Sequence, residues 1–524
     1  MFRNHATRAR QLLVVPWLDY PVSQLARYGS GRAPGRQRNG EGMSIVADMW
    51  IGGTATAGAG SPVAVANPAT GETIDEVTAA TGDEVDTAVG AAAEAFAAWR
   101  RTDAVERADH LRRLADLAED HADELVALLT REQGKPTLEA QGELRHFLAG
   151  LRYYAEAATK VRGSYQELPS QFGPAYGLVV RRPLGVVGAI TPWNFPLTLL
   201  ANKVGPALAA GNTVVAKPAE TTPLTTLRVA QLAAEAGLPP GVLNVITGGP
   251  ETGEALVAHS GVRRVAFTGQ TATGRRVMAL AGPALKQVSL ELGGSDPTIV
   301  LGDADLDTAV KSIQIGRYWN CGQACLAPKR AFIQAEVYDA FVDQLVARVG
   351  RYEPGPGDTR AEKPKLRIGP LHTARQRDLL VAQLKDAVDR GAKVLVGGEA
   401  LDGPGHHFQP AVVVDVPADS RLATEEVFGP VLPVWKVEGL DEAIERANAS
   451  EYGLGSSIWT RSAVAIDRAT RELEAGVTWV NQLHYGYDEL PFGGTKQSGF
   501  GREHGLEALA EYTEPKSVVV GGLA

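Results

Sequence analysis

Apolar residues along this chain recur at two different periods, and the change from one to the other organises the whole sequence. From Asp83 to Arg100 an Ala-rich segment places Val85, Val89, Ala93 and Phe96 three or four positions apart, the spacing of one helical face. Thr102 and Asp103 then offer a cap for a second helix, whose apolar stripe runs through Leu111, Leu114, Leu117, Leu125 and Leu128. A third helical stretch runs from Glu139 to Ala158. Upstream, Asn67-Pro68-Ala69-Thr70-Gly71-Glu72 reads as the turn of a β-hairpin. Tyr176 to Ile190 is Val-rich and weakly alternating, and reads as paired strands.

From Val186 onward the rhythm becomes strand, turn, helix, strand. Strands are predicted at Val186–Thr191, Thr213–Ala216, Val242–Ile246, Arg264–Thr268, Thr298–Leu301 and Lys329–Ile333. Helices fall between them at Leu197–Ala210, Thr222–Ala236, Thr273–Ala281, Ala304–Trp319 and Val337–Val349. This alternation predicts an α/β fold with parallel sheets. Glu353 to Leu371 is rich in Pro and Gly and reads as a surface insertion. Short β segments at Ala411–Val416, Val431–Val437, Val477–Val480 and Ser517–Val520 complete the pattern.

Size and charge narrow the function. A length of 524 residues suits two to four domains, and a net charge of -9 argues against nucleic acid as the main partner. The only cysteines are Cys321 and Cys325, which excludes a disulfide scaffold and fits a reducing, cytoplasmic setting. No apolar run reaches about 18 residues, so no membrane span is expected. The first 42 residues differ, with seven arginines against only Asp19 and Glu41. Their short apolar run is broken by Pro16, and no Ala-x-Ala-like cleavage site follows it. A disordered extension, or an upstream start with Met43 as the working beginning, is expected there.

Six stretches besides the cysteine turn could carry chemistry. Thr191-Pro192-Trp193-Asn194-Phe195-Pro196 follows a strand and could aim an amide at a developing oxyanion. Lys217 to Glu220 ends a buried strand, where an acidic residue could hold ribose hydroxyls. Phe267 to Gly274 is a strand, a Gly turn and a helix start, a place for phosphate, although it matches neither a Walker loop nor the Rossmann fingerprint. Glu291 precedes Gly293-Gly294 and could serve as a base if burial raises its pKa. Thr424 to Pro430 and Leu490 to Glu503 would each pass singly for a loop.

Jointly, Trp193-Asn194, Lys217 to Glu220, the Gly269 turn, Glu291, Gly322 to Cys325, Glu426 to Phe428 and Pro491 to Glu503 have the order and spacing of the aldehyde dehydrogenase superfamily. The resemblance covers Met43 to Ala524. It implies a Rossmann-like cofactor domain from residues 43–163 and 183–292, and an α/β catalytic domain over 293–490. A small β bridging and oligomerisation sheet would come from 164–182 and 508–524, giving a homodimer or homotetramer.

The resemblance also implies roles. Cys325 matches the nucleophile, Asn194 an oxyanion donor, and Glu291 the base, with Lys203 and Glu503 as proton relays. Because relatives that pass the acyl group to coenzyme A tend to lack that Glu, a hydrolytic enzyme releasing a free carboxylic acid is implied. Thr191, Trp193, Lys217, Glu220, Gly269, Gln270, Gly274, Glu426 and Phe428 match cofactor contacts. Gln270 stands where relatives usually carry Ser. A carboxylate at Glu220 favours NAD over NADP. Phe195, Asn202, Ala324, Leu326, His484, Tyr485 and Phe492 match positions lining the aldehyde pocket, while Arg145, His146 and His484 could capture a substrate carboxylate. No metal is implied. Two alternatives stay open: a specialised succinate-semialdehyde or glyceraldehyde-type dehydrogenase, and a non-catalytic binding member of the fold. Cys321 reads either as a small residue at a helix end or as a resolving thiol.

Overall fold

The computed structural model describes residues 48–169, 171, 173–362 and 365–521. The extension expected over residues 1–42 lies outside them.

The first sheet has eight strands. In spatial order they are Thr54–Thr56, Met49–Ile51, Leu243–Val245, Thr213–Lys217, Val186–Ile190, Val262–Thr268, Gln287–Glu291 and Gly499–Phe500. The five strands from Leu243–Val245 to Gln287–Glu291 run parallel. Val186–Ile190 and Thr213–Lys217 are buried at every position, as their unbroken apolar runs require when helices cover both faces. The chain leaves Val186–Ile190 in one direction and resumes on its other side with Val262–Thr268. Such a switch opens a crevice at the carboxyl ends of these strands. Thr191 and Gly269 are the residues that follow those two ends, so the topology itself brings them to the crevice.

The second sheet has seven strands in the order Lys393–Val396, Ala411–Val414, Val431–Val437, Pro328–Gln334, Asp296–Val300, Gly455–Trp459 and Val477–Val480. All but the first pair are parallel. A separate antiparallel sheet joins Thr513–Gly521 to Ala175–Pro183 and Ser164–Leu168. Gly499–Phe500 crosses back from the late chain onto Gln287–Glu291, pairing Glu291 with Gly499.

Several expectations change. Tyr176 to Ile190 does not form two strands paired together, because Ala175–Pro183 belongs to the small sheet and Val186–Ile190 to the first one. A shared Val-rich composition cannot report which sheet a strand joins. The second predicted helix is two, Ala104–Asp120 and Ala122–Gln133, broken where His121 leaves helical geometry. Asp103 does cap the first of them, accepting from Val105 N at 2.8 Å. The stretch expected as a surface insertion carries a short parallel ladder, and buries Ile368 and Leu371 completely in the core of the second sheet. The strand Gln287–Glu291 itself was not foreseen.

Candidate active site

The helix Leu306–Tyr318 runs into a single tight turn, Trp319–Gly322, in which Asn320 and Cys321 both take left-handed backbone angles (φ 51° and 55°). That conformation costs a residue with a side chain roughly 1–2 kcal/mol, and a set of hydrogen bonds holds it. Asn320 N donates to Glu139 Oε2 at 2.8 Å, and Asn320 Nδ2 to the carbonyl of Asn194 at 2.9 Å. Gln323 Nε2 donates to the carbonyls of Asn320 and Pro370, while its Oε1 accepts from His372 N at 2.8 Å. At Gly322 (φ 73°) a Cβ would lie 2.4 Å from the carbonyl oxygen of Gly429, so the loop bearing Glu426 and Phe428 is seated directly on the turn. The buried Arg317 guanidinium ties the same loop down through the carbonyls of Val427, Gly429 and Val431.

The two thiols then face different surroundings. Cys321 is enclosed, at 1% exposure, and burial pushes its thiol well up. A redox-responsive thiol needs solvent and thiolate character, and Cys321 has neither. Cys325 is half-buried against Leu454, Trp479 and Phe492. Burial pushes its thiol up to about 12, Lys329 draws it down, and Asp296, Glu291 and Glu426 add to the rise.

Asn194 donates through Nδ2 to the carbonyl of Gln323 at 3.0 Å, which fixes the amide two residues from Cys325 and leaves its second N–H unused there. Glu291 ends its strand at 4% exposure, and neither carboxylate oxygen has a hydrogen-bond partner. Burial raises its pKa well above the usual range, the negative charge of Glu503 adds to this, and Lys203 and Arg502 oppose it. Gly493 gives that carboxylate room, since a Cβ there would stand 2.8 Å from Glu291 Oε1. Behind it, Lys203 Nζ lies 2.5 Å from Glu503 Oε1 and 2.6 Å from Thr268 Oγ1. Burial pushes Glu503 upward, but Lys203 and Asn202 hold it below the ordinary carboxylate value.

The residues predicted to meet a dinucleotide converge on the crevice. Thr191 Oγ1 is buried without a partner. Trp193 stacks on His372 at 4.6 Å and meets Phe428 edge-on at 5.6 Å. Lys217 is buried and donates only to the carbonyl of Pro218, so two of its N–H groups remain available. Burial lowers its pKa while Glu220 and Glu251 raise it. Gly269 N is held by the carbonyl of Glu291, and Gly274 packs so closely on Leu292 that a Cβ would come within 2.5 Å of it. Gln270 is the exposed N-cap of the helix Thr271–Ala281 and makes no cap bond. Glu426 uses Oε1 for Gly294 N and Lys329 Nζ, both at 3.0 Å. An orphan hydroxyl, an under-used ammonium and a carboxylate with its Oε2 unbonded suit a dinucleotide with ribose hydroxyls and phosphates.

The predicted pocket residues divide. Leu326 and Phe492 pack with Cys325 in one apolar cluster, Phe195 carries the Lys135 ammonium 4.1 Å from its ring centre, and Ala324, next to Cys325 in the chain, is buried. The Tyr485 hydroxyl lies 2.5 Å from His146 Nε2. His484 is stacked on Trp479 at 4.4 Å and bonded through Nδ1 to the carbonyl of Leu326, enclosed rather than open to a ligand. Burial pushes His484 and His146 down to about 4, so at neutral pH neither is the cation that carboxylate capture needs. Asn202 is turned onto Glu503 and His504. Sequence reasoning missed Lys329, His372 and His504. Lys329 had a usable signal, being the fourth residue after Cys325 and opening a strand. The other two are placed only by distant segments.

The Cys325 thiol feels the charge of Glu291, and the Asn194 amide is fixed to the carbonyl of Gln323 two residues before it, an arrangement suited to a covalent thiol reaction with a nearby base. Comparison with known proteins makes the class specific. The sequence model of the aldehyde dehydrogenase family matches residues 55–518. The mitochondrial succinate-semialdehyde dehydrogenase of Arabidopsis thaliana is 42% identical over 462 residues, spanning 88% of this chain and 86% of that protein. The NADP-dependent succinate-semialdehyde dehydrogenase GabD of Escherichia coli is 38% identical over 480 residues, spanning 91% and 98%. The crystal structure of PnpE with nicotinamide adenine dinucleotide superposes with a TM-score of 0.87 at 39% identity, covering 91% of this chain and 98% of that one. The chain belongs to the aldehyde dehydrogenase family, and it oxidises aldehydes. Among the described residues no helix is long and apolar enough to cross a membrane.

Proposed function

We propose that the protein oxidises an aldehyde to the free carboxylic acid with NAD, through a covalent intermediate on Cys325. The Cys325 thiolate attacks the aldehyde carbon, giving a tetrahedral thiohemiacetal whose oxyanion is received by the spare Asn194 N–H and the Cys325 backbone N–H. Bound NAD supplies the hydride acceptor. The remaining thioester is hydrolysed by water that Glu291 deprotonates, and Lys203 with Glu503 carries the proton away. The observation that supports this most is the Glu291 carboxyl, buried with both oxygens unbonded. A structural carboxylate in such a place would be paired, because burying one alone is costly.

NAD is favoured over NADP by Glu220 and Glu251 beside Lys217. One unit charge at ~4 Å from another in an effective dielectric near 20 interacts by about 4 kcal/mol, which disfavours a 2′-phosphate there. Thr191, Trp193, Gly269, Gln270, Gly274, Glu426 and Phe428 complete the cofactor contacts. The small sheet, with Tyr165 and Val519 more than half exposed, is the face that joins subunits in a homodimer or homotetramer. Residues 43–163 and 183–292 are assigned to the cofactor domain and 293–490 to the catalytic domain, a division that the two separate large sheets support.

The test is NADH formation by the purified protein across a panel of aldehydes, with Cys325→Ser alongside. Turnover by the wild type and none by a folded Cys325→Ser is expected. Unchanged turnover in the variant would remove Cys325 from the mechanism.

A further inference from the structure

The loop that carries Asn194 has little backbone bonding of its own. Thr191 N is held by the carbonyl of Lys217, and the carbonyl of Phe195 accepts from Leu199 N, but Pro192 and Pro196 bring no N–H. Side chains from elsewhere fix the Asn194 peptide instead. Its carbonyl accepts from Lys135 Nζ at 2.8 Å and from Asn320 Nδ2 at 2.9 Å. The Asn320 amide is divided, since the same Nδ2 also reaches the carbonyl of Gln323 at 3.4 Å. Lys135 is the donor that ties the peptide to something other than the nucleophile turn.

Lys135 reaches the loop from a constrained place. Gly134 closes the helix Ala122–Gln133 at φ 96°, and a Cβ there would come within 2.6 Å of Pro68 Cγ and 2.9 Å of Pro370 Cγ. The chain then passes Lys135 and Pro136 into the helix Thr137–Ala157, which carries Glu143. Lys135 Nζ pairs with Glu143 Oε2, and both side chains are fully enclosed. Burial lowers the Lys135 pKa, while Glu143 and Glu139 oppose it. The other oxygen, Glu143 Oε1, accepts from Leu197 N at 2.8 Å, in the first turn of the helix Pro196–Ala209. One ion pair thus grips the chain at Asn194 and again at Leu197, and its ammonium stands 4.1 Å from the ring centre of Phe195 between them. Burying two charges is costly, and an apolar pair of similar size often serves stability as well or better. Stability alone therefore gives this pair little reason to be ionic.

We propose that Lys135 and Glu143 are positioning residues for the oxyanion site, clamping residues 194–197 so that the spare Asn194 N–H stays aimed at the oxyanion. This rests on the reading of Asn194 as an oxyanion donor and adds what holds it in place. The two charges cancel within the pair, so the clamp acts through geometry. A donor must stand about 2.7–3.1 Å from the oxyanion, and a displacement of about 1 Å can cost about 10²-fold in rate.

The experiment is a cycle of variants, read as the rate of the first turnover of NADH in rapid mixing, with an aldehyde that the wild type oxidises. Lys135→Met combined with Glu143→Gln removes both charges together, and the Gln oxygen can still accept from Leu197 N. A loss of about 10–100-fold is expected, with NAD affinity by fluorescence titration unchanged. Introduced into Asn194→Ala, the same two changes are expected to cost nothing further, because the amide they aim is gone. Equal losses in both backgrounds would show a general structural role and overturn the clamp. So would a wild-type rate in the paired variant. Asn194→Ala at the wild-type rate would instead sink the oxyanion reading, and the clamp with it. If the paired variant does not fold, Glu143→Asp decides: it keeps both charges, draws Lys135 away from the Asn194 carbonyl, and is expected to lose about 3–10-fold, again only where Asn194 is present.

Discussion

The ammonium of Lys329 lies 3.0 Å from Glu426 Oε1 and donates at 2.6 Å to the carbonyl of Cys325. One fully buried cation is thus shared between the peptide of the proposed nucleophile and a carboxylate proposed to contact the cofactor. It is also the group that draws the Cys325 thiol down against burial. Replacing Lys329 with Met removes that charge and frees Glu426. The rate of Cys325 alkylation by iodoacetamide is expected to fall about tenfold at pH 7.5, with its pH profile displaced upward by about one unit. An unmoved profile would show that the contact is structural only.

Activity should rise with pH from neutrality upward. Both Glu291 and Cys325 have raised pKa values, and each works in its deprotonated form. Glu291→Gln keeps the shape and loses the base. Steady-state turnover is expected to drop about 10²–10⁴-fold. Rapid-mixing measurements should then show the first equivalent of NADH and a persistent acyl-enzyme by mass spectrometry, if thioester hydrolysis is the step that most needs the carboxylate.

Glu139 links the nucleophile turn to stability. Burial raises its pKa to about 8, while its Oε2 accepts from Asn320 N. A carboxyl whose folded pKa lies above its unfolded value contributes stability in full below the unfolded pKa, and loses it as pH rises through the folded one. The window runs from about pH 4.5 to about pH 8, with a slope of at most about 1.4 kcal/mol per pH unit. Thermal melts of Glu139→Gln should show a shallower fall in Tm across this window than the wild type. A parallel fall in both would remove Glu139 from the linkage.

Cofactor choice should respond to Glu220. Glu220→Ala removes one of the two carboxylates beside Lys217, and kcat/KM with NADP is expected to rise about tenfold relative to NAD. No change in that ratio would place the discrimination elsewhere.

Much of the fold was legible because many of the parallel strands are short, largely buried and rich in Val, Ile and Ala, as at Val186–Ile190, and their helices carry regular stripes. Errors came where identical local patterns join different sheets, as at Ala175–Pro183 and Val186–Ile190. The site was legible as a set of residue types in order, and several of those residues do converge. His484 illustrates the limit. Its residue type suited a pocket, but stacking on Trp479 and a bond to Leu326 turned it into an enclosed, neutral ring.

By itself, then, the chain determined its helices and strands, its family and the chemistry available to it. Periodicity, turn residues and side-chain type are local properties that survive without coordinates. Only the tertiary structure decided which carboxyl stands unpaired, which thiol is enclosed, and which ammonium holds the Asn194 carbonyl. These depend on desolvation and on partners from distant segments: Lys135 lies 59 residues from Asn194, and Glu139 lies 181 residues from Asn320. No local pattern records such meetings, because packing alone creates them.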